Sequence, residues 1–114
     1  MMRTLTGELV LPSNAPVFDA AVVLIEVREV SRQDVPSKVV AETRLTSVRL
    51  SPGGAIPFRL QVPEVSGPAS LSIRAHVSLA GTGVVAPGDL LTTASHPIPL
   101  AGNLPSLRVP VQTV

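Results

Sequence analysis

Twelve prolines and eight glycines cut this 114-residue chain into short apolar pieces at fairly even intervals. That spacing is the signature of an all-β sandwich or barrel, and no window between the breaks carries a helical stripe. Seven strands are predicted. Arg3 to Leu11 places Leu5, Leu9 and Leu11 on one face and Thr4, Thr6 and Glu8 on the other, before Pro12-Ser13-Asn14 stops it. Ala21 to Ser31 opens with a continuous apolar stretch, so it reads as central at its start. Lys38 to Thr46 follows. Its Ala41-Glu42 pair has helical character, but Pro36 and the β-branched Val39, Val40, Thr43 and Thr46 favour a strand.

After the turn Ser51-Pro52-Gly53-Gly54, Ile56, Phe58, Leu60 and Val62 alternate with Pro57, Arg59 and Gln61. Ser70 to Leu79 has the clearest period of two: Leu71, Ile73, Ala75, Val77 and Leu79 against Ser72, Arg74, His76 and Ser78. One face should be buried and the other wet, which makes His76 an exposed imidazole. Asp89 to His96 is predicted as the sixth strand, and Leu104 to Gln112 as the seventh, with Leu107, Val109 and Val111 inward. Prolines at 57, 63, 97, 99 and 110 must lie on edges, at strand ends or at bulges, because they donate no ladder hydrogen bond. The expected fold is all-β, a single antiparallel β-sandwich of about seven strands, immunoglobulin- or transthyretin-like, with essentially no helix. One domain should span residues 1–114, with Phe58, Leu60, Leu71, Ile73, Ala75, Val77, Val109 and Val111 in one core.

Several function classes are disfavoured by composition. Nine basic and eight acidic residues give a net charge of +1 without a same-sign run, and two aromatics offer no stacking platform, so no nucleic-acid partner is expected. Zero Cys removes disulfides, thiolate nucleophiles and Cys-based metal sites. The longest apolar run, Ala20 to Ile25, is far too short for a transmembrane segment. Met1 to Gly7 has neither the basic start nor the apolar stretch of a signal peptide. The expected location is periplasmic or outer-membrane-associated if a leader has been removed, and cytoplasmic if the chain is complete.

Reactive constellations are sparse. His76 and His96 fall on different strands with no paired ligand spacing, and His96, before Pro97, reads as a surface residue. Ser95 and His96 are adjacent, which on a strand turns them to opposite faces and rules out a dyad. Gly81-Thr82-Gly83 lacks the Lys and the strand-to-helix setting of a phosphate loop. No catalytic residue, metal or cofactor is therefore expected. Paired carboxylates for glycoside hydrolysis remain the enzyme reading hardest to exclude, weakened by the lack of Trp and Tyr for sugar stacking.

Glu29-Val30-Ser31-Arg32-Gln33-Asp34-Val35-Pro36, followed by Val39-Val40-Ala41-Glu42, closely resembles a stretch of the YscW-type lipoprotein family. That family comprises type III secretion lipoprotein chaperones, or pilotins, and the related YbaY-type lipoproteins. Ile56-Pro57-Phe58-Arg59-Leu60 agrees as well, as do Leu71 to Val77, Leu90-Leu91-Thr92-Thr93 and the opening Leu5-Thr6-Gly7-Glu8-Leu9, so the resemblance runs roughly from 4 to 111. It implies a small β-sandwich that acts by binding, with no catalytic residues to carry over. In the pilotin branch it implies the escort or stabilisation of a secretin at the outer membrane. Physically, the motif residues Ser31, Arg32, Asp34 and Pro36 read as a capped turn, and Ile56, Pro57 and Phe58 as core packing beside an edge proline.

The leading functional expectation is a non-catalytic, chaperone-like module of the cell envelope with a protein partner, in the form of an apolar or extended segment such as part of a secretin. The alternatives are a cell-envelope polysaccharide- or carbohydrate-binding domain and a structural subunit of a homo-oligomer. The connection from Gly81 to Gly88 is apolar where a solvated loop is normally polar, which makes Val84, Val85, Leu90 and Leu91 the candidate partner contacts. The same loop would otherwise fold over the core or meet a second copy in a homodimer. An unpaired, proline-free edge beside an apolar groove would favour peptide binding.

Overall fold

The alternation in the sequence becomes an alternation of burial. In the computed structural model, Ile56, Phe58, Leu60 and Val62 are buried while Ala55, Pro57, Arg59 and Gln61 between them are exposed. The structure describes residues 2–30 (backbone alone at 18–21), 38–65, 70–81, 84–94 and 96–114. Its strands are β1 (Met2–Val10), β2 (Phe18–Val30), β3 (Lys38–Leu50), β4 (Ala55–Pro63) and β5 (Ser70–Ser78), followed by the short β6 (Leu90–Leu91), β7 (Pro97–Ile98), β8 (Leu107–Pro110) and β9 (Gln112–Thr113). No helix forms among the described residues, and Lys38 to Thr46 is the first part of β3.

Two sheets pack face to face. The smaller has the order β4-β1-β8; the larger runs β3-β2-β5-β6-β9, with β7 also paired to β5. Their facing side chains make one core, including Leu5, Leu9, Val23, Ile25, Val27, Phe58, Leu60, Leu71, Ile73, Ala75, Val77, Val109 and Val111. Pairing is mostly antiparallel; β1 with β8 is the parallel exception. Gly7 lies at that junction. A Cβ there would collide with the backbone carbonyl of Leu107 and come within 2.9 Å of Phe58 Cζ, so only glycine lets β8 and the Phe58 ring approach β1 together.

The last two predicted strands are broken. The expected strand from Asp89 to His96 is ordered as a ladder only at Leu90–Leu91, after which Thr92 takes over with its side chain. Its N–H donates to Ala75 O at 3.1 Å, and its Oγ1 accepts the Ala75 N–H at 3.2 Å. Pro97–Ile98 then pairs farther down β5, against Ser72 and Leu71. The expected strand from Leu104 to Gln112 divides between the sheets: β8 lies beside β1, Val111 N–H donates to Val10 O, and β9 crosses to pair with β6. Pro110, with no N–H to continue a ladder, stands at the crossing. The other strand prolines also sit at margins, with Pro57 and Pro63 on the edge strand β4 and Pro97 on β7.

Candidate functional site

The face predicted to be wet on β5 is not wet throughout. Arg74 is half-buried, whereas His76 is only 3% exposed, a correction to the surface imidazole expected from alternation. Asp89, just before β6 and 2% exposed, lies against that face. His76 Nε2 lies 2.8 Å from Asp89 Oδ2. Asp89 Oδ2 also accepts the Ala86 N–H at 3.0 Å, and Oδ1 accepts the Leu79 N–H at 3.1 Å. An ionised carboxylate only accepts hydrogen bonds, so His76 donates from Nε2. Burial pushes the Asp89 carboxyl up, but the hydrogen bonds from His76, Leu79 and Ala86 and the His76 charge outweigh it and hold the group below its ordinary value.

Asp89 thereby fixes both ends of its own loop. Its backbone N–H donates to Ala86 O at 3.0 Å, its carbonyl accepts Val114 N–H at 2.9 Å, and Gly88 N–H donates to Val114 O at 2.8 Å. Gly88 has φ +95°, a conformation that a side chain would strain. Above this base Val84 is 70% exposed and Val85 41%, and Val114, tied to the same turn, is 46% exposed. Leu91 is half-buried. Leu90 is fully buried in the core opposite Val77, so of the four candidate contacts it has no surface to offer a partner. The Asp89 latch was missed because its two members stand on separate elements. Its available signal was that Asp89 is the lone charged residue between His76 and His96, in an apolar stretch where a carboxylate requires partners.

Other polar residues are spent on structure. Arg3 is 8% exposed and donates from Nη1 to Pro99 O at 2.9 Å and Gly102 O at 3.3 Å, and from Nη2 to Pro63 O at 3.2 Å, tying β1 to the segment before β8. Glu26, nearly buried on the outer face of the larger sheet, holds Arg28 at 3.1 Å and Arg74 at 3.4 Å. His96, expected on the surface, is half-buried. Ile56 and Phe58 are core residues and Pro57 is exposed on the β4 edge, whereas Ser31, Arg32, Asp34 and Pro36 lie outside the described residues. Among the described residues no group of three or more His, Cys, Asp or Glu is placed to hold a metal ion, and no helix is long and apolar enough to cross a membrane.

The edge of the larger sheet at β3 is different in kind. It is long and contains no proline. Among the described residues no strand pairs with its outer side, and a shallow groove lined by Val39, Val40, Ala41 and Glu42 runs beside it.

This architecture is shared with a solved structure, an alternative pilotin from the type II secretion system of Vibrio cholerae. The TM-score is 0.70 over 100% of both chains, at 15% sequence identity. No curated protein matches the chain in sequence. The family model for the type III secretion system lipoprotein chaperone YscW matches residues 1–101. With nine-tenths of its length under that match, the chain belongs to the YscW family of type III secretion system lipoprotein chaperones.

Proposed function

We propose that this protein is a pilotin-like, non-catalytic chaperone of the cell envelope, and that Val84 and Val85 seat an apolar or extended segment of its protein partner, a secretin subunit being the partner that fits the family. Membership in a chaperone family supports a role in binding rather than catalysis. The single observation that carries the site is the exposure of Val84 and Val85, 70% and 41%, on a loop whose base is locked by the buried His76–Asp89 pair. Exposed valines on an anchored loop present apolar surface that needs little ordering on binding, which favours affinity.

The test is the double substitution Val84→Ser and Val85→Ser, titrated against purified secretin subunits from the same cell. Removing two exposed aliphatic contacts should weaken binding by about tenfold or more while the melting temperature stays within about 2 °C. Unchanged binding at unchanged stability would place the partner elsewhere. A sharp loss of stability would show the loop to be part of the core instead.

A further inference from the structure

The backbone directions in the larger sheet can be followed outward from β5. Ala75 N–H and C=O both engage Thr92, and Ile73 N–H donates to His96 O, so the odd residues of β5 point away from β2. Ile25 faces Ala75 in register and is therefore a non-hydrogen-bonded partner of it, which turns Ile25 toward β3. Thr43, opposite Ile25, consequently bonds inward, as does Leu45 opposite Val23. The N–H and C=O groups of Glu42, Arg44 and Thr46 point out of the sheet, along an edge that no described strand covers.

The side chains beside those groups are complementary to themselves. Glu42 lies directly opposite Glu26, whose carboxylate is already engaged by Arg28 and Arg74, so Glu42 faces a like charge across the pair. Arg44 lies opposite the apolar Leu24 and shares its face with Glu42, two residues along the strand. Both side chains are exposed. An antiparallel two-fold pairing must match outward-bonding residues with outward-bonding residues, so its axis passes through a residue rather than between two. With the axis at Thr43, Glu42 meets Arg44 twice, and Ala41 meets Leu45 on the core side. An axis at Glu42 or Arg44 would oppose like charges, and one at Ala41 would oppose Arg44 and Lys38.

We infer that β3 pairs with β3 of a second copy about a two-fold axis at Thr43, with Glu42 of each copy against Arg44 of the other. The edge also limits its own growth. Val40 is an extra residue between the pairs Val27↔Ala41 and Arg28↔Val39, and Ser47 has φ 55°, so the regular run ends on both sides of Ala41 to Thr46. Pairing is isologous and closes after one partner. The Val84–Val85 loop has no part in it, so this inference stands apart from the reading above.

The experiment is sedimentation equilibrium of the full chain up to about 1 mM, the range suited to so short an interface. A monomer–dimer equilibrium is expected. Arg44→Glu should raise its Kd about tenfold or more by setting Glu42 against a second carboxylate, and the swap Glu42→Arg with Arg44→Glu should restore it to within about threefold. Because the chain has no Cys, Thr43→Cys introduces a lone thiol at the axis. There the Cα–Cα distance of a non-hydrogen-bonded pair, about 4.5 Å, permits a disulfide, and mild oxidation should give a covalent dimer. A monomer at every concentration would overturn the inference, as would a dimer indifferent to Arg44→Glu or a swap that fails to rescue. Protection of the Glu42 and Arg44 amides only when a different protein is added would overturn it in favour of a foreign strand.

Discussion

The two flanks of the larger sheet are built by different means. From β5 toward β3 the sheet is a ladder of long strands, with β2 registered against both neighbours by backbone hydrogen bonds and by Val23, Ile25 and Val27 beneath them. From β5 toward β9 it is a patchwork of two-residue strands in which side chains replace missing ladder bonds: Thr92 for Ala75, Asp89 for Leu79 and Ala86. The ladder flank leaves an edge open to another strand. The stitched flank ends in the two-residue β9, and its polar side chains hold the base of an apolar loop in place. Regular pairing thus tolerates change at outward positions, whereas a flank held by a few buried polar atoms should fail when one of them is changed.

The largest effect is expected at Asp89. Asp89→Asn sets an amide N–H against at least one of the donors now shared by its carboxylate, and should cost about 3 kcal/mol, or roughly 10–20 °C in Tm. The carboxyl is held below its ordinary value, so the unfolded chain binds the proton more readily than the folded one. The stabilisation is complete above the unfolded value, near pH 4, and disappears as pH falls through the lower folded value. Denaturant unfolding at neutral pH and near pH 3 should therefore show a loss on acidification that is smaller in Asp89→Asn. Equal losses would mean that the latch is energetically idle.

Thr92→Val keeps the shape and removes the Oγ1 that accepts the Ala75 N–H, a loss of about 1 kcal/mol in the same unfolding assay. A neutral result would weaken the contrast by showing that side-chain stitching is dispensable. Smallest of all, Arg44→Glu on the ladder flank should leave the stability of the dilute monomer within about 0.5 kcal/mol. A larger drop would reveal an intramolecular role for Arg44 and remove the difference between the flanks.

The contrast also explains what could be read from the residues. The ladder flank and the smaller sheet were legible because one face is apolar and the other wet, so Ile56, Phe58, Leu71, Ile73 and Val77 declare their faces by period alone. Breaks in the last two predicted strands were not legible, since Thr92 looks like any strand threonine until Ala75 is placed beside it. His76 obeys the period and yet is buried, because Asp89 reaches it from a loop that no alternation describes. For the candidate site, the apolar loop was visible as composition. Leu90 differs from Val84 and Val85 only through its pairing with Val77, which the loop sequence does not contain.

Residue-resolved hydrogen exchange on the dilute protein and on Asp89→Asn tests the division most directly. Exchange reports opening locally, so flanks held by different means should separate. The Leu79 and Ala86 amides should be protected in the parent chain and lose more protection in the variant than Ile25 and Thr43, which bond within the ladder, while Glu42 and Arg44 exchange freely in both. Uniform loss at Leu79, Ala86, Ile25 and Thr43, or protected Glu42 and Arg44 amides in the dilute monomer, would contradict the account.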